Sequence, residues 1–117
     1  MAIYAELSKK VRDDIPLYVF ENILQKDIQR IFFLKNLGKK DIRGGNTSKY
    51  AYEGIICIEG SCKVVIQKEG IEEIYVLDNP MQCVIVEPME WHQIYDFAEG
   101  SMLLAFSDRK YDVSEYI

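Results

Sequence analysis

The stretch Arg43-Gly44-Gly45-Asn46-Thr47-Ser48-Lys49, followed by Glu53 and Gly60, decides how the rest of this chain is read. Asn46 and Ser48 stand two residues apart, and Glu53 then falls within an apolar run that ends at Gly60. Working outward, β-branched and aromatic runs broken by turn residues predict strands over residues 17–23, 28–35, 50–58, 62–68, 72–77, 82–86, 93–97 and 102–107. The breaks are Gly44-Gly45, Glu59-Gly60, Glu69-Gly70, Asp78-Asn79-Pro80, Pro88 and Glu99-Gly100. Alternation at Cys62, Val64 and Ile66 marks one buried face, whereas the unbroken apolar runs 55–58 and 84–86 predict strands covered on both sides. No long helix is expected. Residues 108–117 read as a short turn packed on the barrel or as an interface element.

A chain of 117 residues that is 49% hydrophobic suffices for one cored domain, spanning 1–117, and is too short for two. The net charge of −5 argues against a general nucleic-acid partner, which needs a concentrated basic stripe. No run nears the eighteen or so apolar residues of a membrane span, and the first ten residues lack a signal pattern. A soluble cytoplasmic protein with no membrane partner is the expectation. Cys57, Cys62 and Cys83 lie in apolar runs without metal spacing and read as reduced core residues. Cys57 and Cys62 flank the Glu59-Gly60 turn and can face each other across a hairpin.

The catalytic inventory is short. A mononuclear metal centre needs about four converging nitrogen or oxygen ligands, and this chain has one histidine. Neither a metal site nor a cofactor is expected. Ser-His-Asp and Cys-His machinery is absent on the same ground. His92, beside Trp91 at a strand start, is either a structurally hydrogen-bonded residue or a pocket histidine that moves a proton near neutral pH. Glu53 reads as a pocket residue, because a buried carboxylate needs a partner or a raised pKa. Gly44-Gly45 reads as a turn requiring positive φ, as a close backbone approach to a ligand, or as both, with Arg43 and Lys49 supplying charge to a diphosphate. Tyr50, Tyr52, Phe32, Phe33, Tyr95 and Trp91 are individually core or wall and collectively able to stack a base or a sugar face.

Several of these runs together resemble a known family. They are Arg43 to Lys49, Gly60-Ser61-Cys62-Lys63-Val64-Val65-Ile66, Leu77-Asp78-Asn79-Pro80, Pro88-x-x-Trp91-His92 and Asp112-x-x-x-Tyr116-Ile117. In order and spacing they are similar to the dTDP-4-keto-6-deoxyglucose 3,4-ketoisomerases, over about residues 17–117. The resemblance implies an all-β, RmlC-like cupin barrel or jelly roll and a metal-independent homodimer. Its substrate would be a dTDP-linked keto-deoxyhexose, whose ketone moves from C4 to C3 through an enediol on the way to 3-amino sugars for surface glycans. The chain departs from the family where chemistry is done. Family members have histidines at the positions of Asn46 and Ser48, a tyrosine at that of Phe32 or Phe33, and a glutamine at that of Glu53. On this reading Glu53 and His92 are the catalytic residues, and Arg43, Asn46, Ser48, Lys49, Tyr52 and Trp91 bind substrate. Arg43, Asn46, Ser48, Glu53 and His92 are expected to line one pocket. The alternative is a catalytically degenerate cupin that binds a sugar nucleotide or pairs with an active paralogue.

Overall fold

The computed structural model describes all residues except Met1, Leu7 and Gln25, together with the side chains of Ser8, Lys10 and Arg12. Among the described residues the regular structure is β, apart from a short 3₁₀ turn at Val113–Glu115. The strands are β1 (Ile3–Glu6), β2 (Ser8–Arg12), β3 (Ile15–Val19), β4 (Arg30–Leu37), β5 (Arg43–Thr47) and β6 (Glu53–Glu59), then β7 (Cys62–Lys68), β8 (Ile71–Leu77), β9 (Gln82–Val86), β10 (Trp91–Tyr95) and β11 (Ser101–Ser107). They form a five-stranded sheet in the order β1-β9-β6-β11-β4, a four-stranded sheet in the order β5-β10-β7-β8, and a separate β2-β3 hairpin. Every pairing is antiparallel.

The two larger sheets face each other over a core in which Ile55, Cys57, Cys62, Val64, Ile66, Leu77 and Val84 are fully or almost fully buried. Because side chains alternate across a strand, Ile56, Cys83, Ile85 and Phe106 point the other way. Leu24, from the irregular segment before β4, packs on them as a second cluster. This explains the unbroken apolar runs in β6 and β9: one face meets the opposite sheet, and the segment around Leu24 covers the other. Cys57, Cys62 and Cys83 are buried free thiols.

The all-β expectation holds, with two corrections. Strand candidates were read only from residue 17 onward, yet β1 joins the edge of the larger sheet and β2 pairs with β3 through a turn at Asp13-Asp14, both at positive φ. Alternation there is masked because the hairpin's apolar side chains, Val11, Ile15 and Leu17, are exposed rather than packed on the core. Gly44-Gly45 was expected to break the chain, but both glycines lie inside β5.

Candidate functional site

Between the sheets, on the side where β4 and β5 are the edge strands, lies a cavity of about 290 Å³. The larger sheet contributes Arg30, Phe32, Leu34, Glu53, Leu103 and Ala105. Arg43, Gly44, Asn46, His92 and Ile94 come from β5 and β10, and Tyr111 and Tyr116 from the C-terminal segment.

Register explains the arrangement. In the larger sheet Arg30 pairs with Ser107 and Ser107 with Glu53, so these three form one cross-strand row. In the smaller sheet His92 pairs with Asn46, and Ile94 pairs with Arg43. Across the gap, His92 Nε2 lies 3.9 Å from Glu53 Oε2. Glu53 opens β6 and its side chain is 16% exposed, so the carboxylate looks into the cavity from the strand's first turnable position rather than from its apolar middle. Burial pushes the His92 imidazole below its ordinary pKa, against the smaller upward pull of Glu53 and Glu90. The ring is therefore neutral at neutral pH, able to accept a proton on one nitrogen and to donate from the other.

A bulge aims this pair. Pairing between β10 and β5 slips between His92 and Gln93, whose partners are Asn46 and Gly44, leaving Gly45 as the extra residue. Both glycines have positive φ, 80° and 84°. A Cβ on Gly44 would sit 3.0 Å from the His92 carbonyl and 3.2 Å from its Cδ2 and Nε2. The glycine pair thus serves a β-bulge and a close approach to His92, rather than the turn its composition suggested.

The cavity brings together Arg43, Asn46, Glu53 and His92 of the expected site residues. It leaves four outside. Ser48 was expected to share the pocket with Asn46, but β5 ends at Thr47, and the Ser48 Oγ accepts the Ala51 N–H at 3.1 Å. Lys49 is exposed, and its N–H donates to the Glu115 carbonyl. Tyr52 packs against the second cluster on the far face of the larger sheet. Trp91 lines a separate surface groove with Met89 and Gln67. Of the aromatic residues, Phe32 reaches the cavity while its neighbour Phe33 is exposed.

Sequence reading missed Arg30, Tyr111 and Tyr116. Strand parity could have found Arg30, since it alternates with Phe32 and Leu34 on the inward face of β4. The tyrosines arrive through tertiary contacts that no local pattern encodes. The C-terminal segment is tied down when Ile117 N–H donates to the Thr47 carbonyl, when Ser48 and Tyr116 form a bridge, and when Arg109 grips Glu115 through two bonds of 2.6 and 2.8 Å.

Among solved structures, a mutant of the 3,4-ketoisomerase QdtA from Thermoanaerobacterium thermosaccharolyticum, in complex with TDP-4-keto-6-deoxyglucose, superposes with a TM-score of 0.92 at 27% identity, covering 99% of this chain and 86% of that one. A 3,4-ketoisomerase from Helicobacter canadensis has the same fold, with a TM-score of 0.92 at 22% identity over 99% of this chain and 89% of its own. TDP-4-oxo-6-deoxy-alpha-D-glucose-3,4-oxoisomerase from Aneurinibacillus thermoaerophilus is 27% identical over 90 residues, which are 77% of this chain and 65% of that protein. The family model FdtA, described as WxcM-like, C-terminal, matches residues 4–117, and the chain belongs to that family.

Proposed function

We propose that this protein is a nucleotide-sugar 3,4-ketoisomerase, moving the ketone of a dTDP-linked 4-keto-6-deoxyhexose from C4 to C3. The observation that carries this reading is the Glu53–His92 pair facing across an internal cavity in a chain of this family. Enolisation needs a base at the C3 proton and a proton source at C4. A carboxylate and a neutral imidazole 3.9 Å apart supply both on adjoining walls, although the family's histidine positions hold Asn46 and Ser48. In the forward direction the C3 proton leaves to one of the pair, and its bonding electrons form the C3–C4 double bond as O4 becomes the enediolate oxygen. Passage of the O3 proton to O4 and return of a proton to C4 then complete the 3-ketone with its C4 hydroxyl. We assign Asn46, which pairs with His92 across β5 and β10, to a hydrogen bond with a sugar hydroxyl.

About 290 Å³ is at the small end for ligand pockets, so the cavity accommodates the sugar ring while the nucleotide lies toward its mouth. Exposed Tyr111 and exposed Arg43 flank that mouth, and we assign Arg43 to the diphosphate. The site needs no metal on this reading: among the described residues no three His, Cys, Asp or Glu side chains converge. We place the reaction in the cytoplasm, a setting that buried free thiols suit. No helix among the described residues is long and apolar enough to cross a membrane. We also propose a homodimer, supported by the exposed apolar surface of β4 and of the β2-β3 hairpin.

The test is incubation with dTDP-4-keto-6-deoxyglucose in D₂O, with and without a chelator, following the C3 proton by NMR. Exchange should proceed in both conditions. Glu53→Gln and His92→Asn should each slow it by roughly 10²–10⁴-fold while the nucleotide still binds. Tight binding by the wild type without exchange would reject the isomerase reading.

A further inference from the structure

A base is half of an enolising site. The oxygen that gains charge must meet a donor fixed in place before the reaction, because a donor that has to reorganise loses much of its advantage. Asn46 is neutral, and Arg43 is exposed and free to follow the solvent. Arg30 is different. Its guanidinium lies over two rings, 5.4 Å from the centroid of Phe32 and 5.5 Å from that of Tyr111. Its Nε is buried and has no hydrogen-bond partner. It stands in the same cross-strand row as Glu53, with Ser107 between them, and it lines the same cavity.

A buried donor without an acceptor is costly and uncommon, and a charged one more so. Stacking on two rings fixes the plane of a guanidinium but satisfies none of its N–H groups. The group is therefore oriented, with its Nε shut off from solvent and its side chain lining the cavity, so that a substrate oxygen there meets the guanidinium's terminal N–H groups.

We infer that Arg30 is the electrophilic residue of this site, donating to the substrate's C4 carbonyl oxygen and stabilising the enediolate that forms when the C3 proton leaves. The step consumes no oxidant: the C3–H electron pair becomes the C3–C4 π bond, the carbonyl π pair moves to O4, and the hydrogen bond to Arg30 strengthens as that charge grows. Burial separates the two arginines by task, with exposed Arg43 suited to the diphosphate and half-buried Arg30 to the reacting carbonyl. The inference rests on the isomerase reading for its substrate, but it can be tested without turnover.

The experiment measures the C4 carbonyl stretch of bound dTDP-4-keto-6-deoxyglucose, labelled with ¹³C at C4, by difference infrared spectroscopy. Proton exchange and affinity for dTDP alone are measured on the same samples. Wild type should bind the ketone with its carbonyl band shifted to lower wavenumber. Arg30→Gln should abolish that shift and slow exchange by roughly 10²–10³-fold, the weight of one oxyanion donor, while changing dTDP affinity less than threefold. Arg30→Lys should restore part of the shift. Loss of dTDP affinity by tenfold or more with the shift retained would make Arg30 a diphosphate ligand and overturn the assignment. An unchanged band and rate in Arg30→Gln would overturn it while leaving the isomerase reading intact. An Arg30-dependent shift in a wild type that shows no exchange would uphold Arg30 as the carbonyl's partner and reject the isomerase. Failure of the wild type to bind the ketone would overturn both.

Discussion

His92 is the residue whose surroundings most shape what the site can do. Burial holds its imidazole below the ordinary histidine pKa, so the unfolded chain takes up a proton at a higher pH than the folded one does. Between those two values the unfolded state carries more protons, and stability must fall as pH falls. The loss begins near the unfolded histidine value of about 6.5 and levels off below the folded one. Glu53 and Glu90, the facing acids, oppose the shift without cancelling it. Denaturant titrations of wild type and His92→Asn, compared from about pH 7.5 downward through the histidine range, should show wild type losing stability relative to the variant as the pH drops. Parallel curves would mean that His92 protonates as easily in the fold as out of it. With His92 as the base, exchange activity falls as the pH drops below its lowered folded-state pKa, since a protonated imidazole cannot accept a proton; with Glu53 as the base, that limb is absent.

At the scale of elements, the bulge in β5 turns a glycine pair into part of the site. Gly44 and Gly45 both occupy the left-handed region, so alanine at either should cost about 1–2 kcal/mol in backbone strain. Their surroundings differ. A Cβ on Gly45 would meet only the end of Gln93 at 3.9 Å, whereas one on Gly44 would press on the His92 ring. Gly44→Ala should therefore lose more stability than Gly45→Ala in urea titrations, and only Gly44→Ala should slow proton exchange markedly. Equal rates in the two would disconnect the bulge from the placement of His92. This element also marks the limit of reading sequence. Positive φ was legible in the glycines, but whether it served a turn or a bulge depended on register with β10, a long-range property. Strands β7 and β9 were legible to the residue because the turns around them are written in Gly, Asn and Pro, with β7 alternating at Cys62, Val64 and Ile66 and β9 carrying an unbroken apolar run. Strands β1 and β2 were not, since an exposed hairpin and an edge strand show no alternation against a core. Glu53 and His92 were legible as rare polar residues in apolar surroundings. Ser48 was misplaced because the family resemblance sets it beside Asn46, whereas β5 ends at Thr47 and the Ser48 hydroxyl accepts the Ala51 N–H, and Arg30 went unseen because its partners lie on other elements.

For the molecule as a whole, the unresolved matter is what covers the outside of β4 and the β2-β3 hairpin. Strand β4 is one edge of the larger sheet, opposite β1, and it turns Ile31 and Phe33 outward at 62% and 60% exposure. The hairpin adds Val11, Ile15 and Leu17, all exposed, and its two strands pair only with each other. Exposed apolar surface beside an unpaired strand edge invites association, and two copies that bring the same surface to each other cover it on both. Phe33 points away from the cavity that Phe32 lines, so Phe33→Asp can disrupt such an interface without touching the site. Sedimentation should give twice the chain mass for the wild type at micromolar concentration. For Phe33→Asp the dissociation constant should rise by roughly 30-fold, the weight of about 2 kcal/mol for a buried aromatic anchor, with the cavity's affinity for dTDP unchanged. A wild type that sediments as a monomer would remove the dimer, and a variant that stays as dimeric as the wild type would move the interface elsewhere. Loss of dTDP binding together with dimerisation in Phe33→Asp would carry a further consequence: the cavity would then depend on the neighbouring copy for its shape, although every residue named in its chemistry belongs to one chain.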